Sequence, residues 1–326
     1  MTTRSVQTMF APIADPLAEA EQVLRKELHS QYPYVDELVR HGFLLGGKRL
    51  RPALLLLTAQ AAGNISPQHL TLAAVVEMIH TATLVHDDVL DEAEMRRHLA
   101  TVNSRWDNEA SILLGDFLFT HAFYLASSLD TTLACRWIGK ATNVVCEGEL
   151  RQKGSRGDFL ISEEQYISII VAKTAALCEV SCRLGAHYAQ APEAIVQQMA
   201  DYGRYLGIAF QIADDVLDLL GTEQDTGKSL GTDLDKQKPT LPIIRLLQVA
   251  GLERREEILE VLNDDNPQRR RRSLLPLLEA TEAVSYAQDV AARHARLAQE
   301  QLAQLNPSPA EEVLRALGDF VVSRSH

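Results

Sequence analysis

Cysteine is scarce in this chain of 326 residues, with four in all. Cys135, Cys146, Cys178 and Cys182 form no CxxC pair and no Cys/His spacing that would hold a metal. Cys178 and Cys182 stand one helical turn apart, as two buried thiols in a reducing compartment would. Linkers rich in proline, glycine or serine are missing, and composition does not shift along the chain. The expectation is therefore a single domain over 1–326, although length alone allows two. Uninterrupted apolar runs are lacking as well: the longest greasy stretch, LAAVVEMIHTATLV, is broken by Glu77 and His80 and does not read as a membrane span. The first residues, MTTRSVQTMFAPIADPLAEAE, have no signal-peptide core. A cytoplasmic protein is expected, with no membrane span. Positive charge is in deficit, 32 Lys and Arg against 44 Asp and Glu for a net charge of -12, so the surface repels nucleic acid, and no nucleic-acid partner is expected. Internal repeats and low-complexity segments are absent, and period-two alternation nearly so.

What is present is spacing by threes and fours almost throughout. Helices are predicted over about 14–31, 34–42, 49–62, 68–92, 109–128, 131–153, 163–189, 192–220, 239–250, 254–262, 270–304 and 309–322, which makes the chain all-α. The stretches 68–92 and 192–220 are apolar on more than one face and belong inside a bundle. RRRR at Arg269–Arg272 follows NDDNPQ and reads as a solvated helix start.

Both long helices carry the same pentapeptide near their C-terminal ends, DDVLD at Asp87–Asp91 and again at Asp214–Asp218. On a helix the three aspartates of each copy fall within about a 100° arc. Like charges so placed repel, and a helix C-terminus favours cations instead. Carboxylate oxygens alone suit a hard divalent cation, and Mg²⁺ commonly binds through a few carboxylates together with substrate phosphates. The other reading is a solvated helix end, which two copies disfavour.

Metal-bound phosphate calls for cationic side chains nearby. GGKRLRP at Gly46–Pro52 offers Lys48 and Arg51 at a helix start, where exposed N–H groups also favour an anion. Arg96 and Arg97 lie just past the first cluster. GKSLGTDLDKQKPT after the second contributes Lys228, Lys236 and Lys238. Lys173, in VAKTAALCEV, either snorkels or binds. His80, seven residues before Asp87, shares its face two turns away and reads alone as a core histidine. GTEQDTGKS is not a nucleotide-binding loop: its glycines are one residue too far apart, and it follows a helix rather than a strand.

GGKRLRP, IHTATLVHDDVLDEAEMRR, EGELRQ, AKTAALCEVS, FQIADDVLDLLG and GKSLGTDLDKQKPTLP, in that order from Gly46 to Pro242, resemble the trans-isoprenyl diphosphate synthases, or polyprenyl synthetases. The resemblance implies the all-α isoprenoid synthase fold, helices around a large central cavity, usually as a homodimer. It implies that Asp87, Asp91 and Asp214 hold Mg²⁺ on an allylic prenyl diphosphate, with Asp88 and Asp218 as further ligands. Arg96, Lys173, Thr174, Gln211, Lys228 and Lys238 would contact that substrate, Lys173, Arg96 and Gln211 as its catalytic groups. Lys48, Arg51, His80 and Arg97 would bind isopentenyl diphosphate. Peripheral membrane contact would serve product release. One departure is visible: His98 follows the arginine pair where many relatives place glycine, which points to a stiffer loop.

The chemistry so implied is electrostatic. Metal ions and basic groups stabilise the departing diphosphate, and the double bond of isopentenyl diphosphate attacks the allylic cation left behind. In this family bulky aromatics four or five residues before the first aspartate block the growing chain. Here those positions hold Thr83 and Ala82, with Ile79 a turn further down, and the expectation is a long all-trans product of octaprenyl type. Phe119, Phe123 or Tyr124 would set an earlier stop and a farnesyl- or geranylgeranyl-length product. A class I terpene cyclase would carry a different second metal motif, and an HD-type phosphohydrolase would not need the paired basic motifs. An inactive helical partner subunit would not keep its aspartates and lysines.

Overall fold

A computed structural model describes residues 9–220 and 231–323. Helices follow one another as α1 (Ala14–Glu27), α2 (Pro33–Leu44), α3 (Leu50–Ala62) and α4 (Pro67–Leu90). A two-stranded hairpin, β1 (Met95–Arg96) and β2 (Leu99–Ala100), interrupts them. Next come α5 (Val102–Arg105), α6 (Asn108–Ser127), α7 (Leu133–Gly154), α8 (Glu163–Ile170), α9 (Ala176–Tyr188) and α10 (Glu193–Leu220). The chain continues with α11 (Thr232–Asp235), α12 (Leu241–Val249), α13 (Leu252–Leu262), α14 (Pro267–Ala280), α15 (Ala283–Glu300) and α16 (Pro309–Ser323). The all-α expectation holds, and no sheet beyond the hairpin occurs among the described residues.

The chain divides into two compact units. One comprises the residues up to Thr142 with Leu177–Gly203 and Gln301–Arg315, and the other Asn143–Ala176, Arg204–Glu300 and the residues from Ala316 on. In the first, α4 packs against α6, α1 and α3. Leu54, Leu55, Leu56 and Leu57 are all fully buried, so α3 is covered on every side and not along one stripe. Burying one such leucine contributes about 1.5–3 kcal/mol. Cys178 and Cys182 are buried free thiols here, as their spacing predicts.

The second unit centres on α8, α10, α12 and α15, with Ile170, Ile208, Ile212, Val216, Leu241, Ile244 and Val290 in one core. The prediction of one long helix over 270–304 is corrected: α14 and α15 are separated at Thr281–Glu282, where Glu282 takes φ 52°. The polybasic run is corrected too. Arg270 is only 6% exposed, because it falls on the buried stripe of α14 with Leu274 and Leu278 at i+4 and i+8.

Between α8 and α9 the backbone widens into a π-helical turn at Val171–Ala175, closed by the Ala176 N–H on the Val171 carbonyl. Such turns insert one residue into an α-helix and favour functional sites. Glycines admit neighbours on two sides of it. A Cβ on Gly148 of α7 would stand 2.6 Å from the Lys173 nitrogen, and one on Gly207 of α10 would stand 2.7 Å from the Ala175 Cα. Neither backbone can yield, so Gly207→Ala is expected to cost about 1–3 kcal/mol in denaturant unfolding. Gly154→Ala, with open space at its Cβ, serves as the control and is expected to be neutral or stabilising.

Candidate active site

The first aspartate motif ends α4, and its backbone solves its own capping problem. The Ala93 N–H bonds to the Asp88 carbonyl and the Glu92 N–H to the Val89 carbonyl, with Glu92 at φ 51°. That is a Schellman ending made without glycine. The three carboxylates then part company. Asp87 and Asp91 remain half-buried, while Asp88 is 1% exposed and pairs with Arg96, Nε lying 2.9 and 3.1 Å from the two oxygens and Nη2 2.8 Å from Oδ1.

Arg96 reaches Asp88 because the hairpin folds back through a two-residue turn, Arg97–His98, with φ 52° and 64°. This is the geometry of a type I′ turn, which favours glycine or asparagine. Here two bulky residues occupy it. The turn sends Arg97 to the Leu45 carbonyl at 2.9 Å, across Gly47, where any Cβ would collide with the guanidinium. The glycine pair therefore makes room for arginines, with Arg49 packed against Gly46 in the same way.

Arg49 was not singled out by sequence reasoning. It caps α3 in a left-handed conformation (φ 53°), donates to Glu77 Oε1 at 2.6 Å and lies over the Phe43 ring at 4.6 Å. Glu77 is 1% exposed, so a buried carboxylate fixes the turn between Lys48 and Arg51. His80 is half-buried. Enclosure, then the charges of Arg51, Arg97, Arg96 and Arg49, push its imidazole well below the ordinary histidine value. Arg97 is lowered by burial and by Arg96. Four of the predicted residues, Arg51, His80, Arg96 and Arg97, are thus neighbours, and the arginines concentrate a positive field around the imidazole.

The second unit holds the remaining polar groups. Lys173, on the π-helical turn, bonds Glu149 Oε2 at 2.8 Å and Gln152 Oε1 at 2.9 Å. Thr174 Oγ1 donates to Gln211 Oε1 at 2.7 Å, and Gln211 Nε2 donates to Asp215 Oδ1 at 2.7 Å. Tyr166 OH donates to the other Asp215 oxygen at 2.6 Å. Burial, then the charge of Asp233, raises the Asp215 carboxyl to about 8. Asp218 accepts the Thr232 hydroxyl and the Asp233 N–H, each at 3.0 Å, and its carboxyl is raised by burial and by Asp233. Lys238 Nζ lies 3.4 Å from Asp233 Oδ1. Lys228 lies outside the described residues. Tyr166, Asp215 and Asp233 were missed, and the one signal available for Asp215 was its place inside the repeated pentapeptide.

Among the described residues no three acidic, histidine or cysteine side chains converge as a ready-made metal cage. Carboxylate oxygens in small number fit Mg²⁺, which keeps waters and takes further oxygens from a phosphate ligand.

The positions expected to limit product length also differ from one another. Ala82 is fully buried, whereas Thr83 is half-buried and bonds the His80 carbonyl through its hydroxyl at 2.7 Å. Phe119 sits against the His86 ring, 5.9 Å between centroids, level with the acidic motif. Tyr124 is 67% exposed.

A polyprenyl synthetase family model matches residues 32–275. The octaprenyl diphosphate synthase of Haemophilus influenzae is 36% identical over 318 residues, 96% of each chain. Among solved structures, a decaprenyl diphosphate synthase from Rhodobacter capsulatus superposes with a TM-score of 0.93 at 35% identity, covering 98% of this chain and 99% of that one. A polyprenyl synthase from Caulobacter crescentus, complexed with calcium and isoprenyl diphosphate, gives 0.91 at 34% identity and covers 98% of both. With its helical fold and its order of acidic and basic motifs, this chain belongs to the polyprenyl synthetase family.

Proposed function

We propose that the protein condenses isopentenyl diphosphate with an allylic prenyl diphosphate, in a Mg²⁺-dependent reaction, to give a long all-trans polyprenyl diphosphate. The observation that carries this reading is the gathering of Arg49, Arg51, Arg96 and Arg97 around a neutral His80, in the unit that also holds Asp87 and Asp91. Clustered guanidinium groups repel one another, and a diphosphate offsets that repulsion. In this reading the whole chain acts as a single synthase domain, cytoplasmic and without a membrane span.

Lys48, Arg51, His80 and Arg97 hold isopentenyl diphosphate. Arg96, Lys173, Thr174, Gln211, Lys228 and Lys238 bind the allylic partner. Asp87, Asp91 and Asp214 hold the metal, whereas Asp88, engaged by Arg96, and Asp218, engaged by the Thr232 hydroxyl and the Asp233 N–H, position their neighbours. Bound Mg²⁺ would supply positive charge to the leaving diphosphate. Lys173 adds a cation fixed between Glu149 and Gln152. Asp215 sets the Gln211 amide so that its oxygen faces Thr174, which keeps that dipole oriented before the allylic bond breaks.

A second copy of this chain fits the outer face of α6. The helix is apolar on both sides: Leu114, Leu118 and Ala122 are buried, while Ile112 and Leu113 are 47% and 59% exposed. A homodimer covering that face accounts for its apolar surface. Leu113→Glu is expected to shift the protein toward monomer in sedimentation-velocity runs, and an unchanged dimer would place the contact elsewhere.

Incubation with Mg²⁺, isopentenyl diphosphate and a labelled allylic primer, followed by sizing of the products, tests the reaction. Chelation is expected to abolish product, and elongation that stops at farnesyl or geranylgeranyl length would establish the shorter-chain reading. Ala82→Phe would overpack a full core. Thr83→Phe is the informative change, expected to shorten the product by several isoprene units with the fold intact.

A further inference from the structure

The buried arginine of the polybasic run needs a reason. Arg270 occupies a position where its stripe, with Leu274 and Leu278, would accept an apolar residue. Burying a guanidinium is costly, and a hydrophobic residue of similar volume is often neutral or stabilising in its place. Its guanidinium pairs with Asp235 and donates through Nη1 to the Asp264 carbonyl at 3.1 Å.

Asp235 ends α11, inside a strap running from Gly231 to Lys238. Asp218 holds one side of this strap: its carbonyl accepts the Gly231 N–H at 2.9 Å, and its carboxylate accepts the Thr232 hydroxyl and the Asp233 N–H. Within the strap, the Lys238 N–H bonds the Asp233 carbonyl at 2.8 Å, and Lys238 Nζ lies 3.4 Å from the Asp233 carboxylate. Leu234 is buried in the core that includes Leu274 and Leu278. Lys238 is therefore aimed by a short segment fixed at Asp218 on one side and at Arg270 on the other.

We infer that Arg270 is a positioning residue for the allylic diphosphate, acting through Asp235 and the Gly231–Lys238 strap to hold Lys238 in place. The inference rests on the synthase reading given above. It assigns a role to α14, a helix outside the motifs that carry the chemistry.

Two variants separate positioning from bracing. Asp235→Ala removes the partner on an exposed side chain, and Arg270→Met preserves volume while leaving that carboxylate, 46% exposed, in water. Each is expected to raise KM for the allylic diphosphate about tenfold while KM for isopentenyl diphosphate stays within about twofold. In a Lys238→Ala background neither adds a further rise, because the strap would have nothing left to aim. Amide hydrogen exchange at Asp233 and Lys238 is expected to accelerate in Asp235→Ala. An unchanged allylic KM, effects additive with Lys238→Ala, or unaltered exchange would each overturn the inference. The exchange measurement needs no turnover, so a wild-type protein that makes no prenyl product but loosens its strap on substitution would count against the synthase reading alone.

Discussion

Three carboxylates crowded at the end of a helix are a constraint that each of the two compact units has to meet. The C-terminal partial charge of a helix opposes them, and they oppose one another. The protein answers in the same way twice. In each pentapeptide the second aspartate turns inward to a protein partner, Asp88 to Arg96 and Asp215 to Tyr166 and Gln211. The first and last members keep other duties. Arg96 offsets the charge of Asp88, whereas burial raises the Asp215 carboxyl to about 8 and so relieves the repulsion by protonation, and each middle residue orients the group it bonds.

On the cationic side the logic runs in reverse. Arg49 is held by a buried glutamate and an aromatic ring, Arg97 by a carbonyl and Arg96 by an aspartate. Each of these arginines is fixed by a partner of its own, and their charges together act on His80. A neutral His80 in that field is a hydrogen-bonding group that adds no repulsion, which suits it to an anion's approach. The price is paid in backbone conformation, since Arg49, Arg97 and His98 all take positive φ.

Helix positions were legible from apolar spacing because most helices bury a stripe or a whole circumference, and the acidic motifs stood out because like charges crowded at a helix C-terminus are destabilising without a partner. What escaped had no local signature. The π-helical turn keeps the same apolar composition as the helices around it. The break at Thr281–Glu282 has no glycine or proline to announce it. Arg270 looks solvated among its three arginine neighbours, and only the apolar residues four and eight positions on betray that its side faces the core. Tyr166 and Asp233 depend on partners 49 and 15 residues away, a separation that no window on the sequence spans. The stiff loop expected from His98 proved to be a tight hairpin in which that residue and Arg97 both adopt a conformation suited to glycine.

The widened turn at Val171–Ala175 has a consequence for how α8 and α9 are written in sequence. An extra residue advances the helical phase by about 100°. Side chains before it and after it therefore obey two separate rotational registers along one run of helical residues. Tyr166 and Ile170 can keep their packing on one register while Leu177, Val180 and Leu184 follow the other, and Lys173 falls where the two are out of step. Loss of a single residue there would leave the chain helical and turn one set of side chains away from its neighbours.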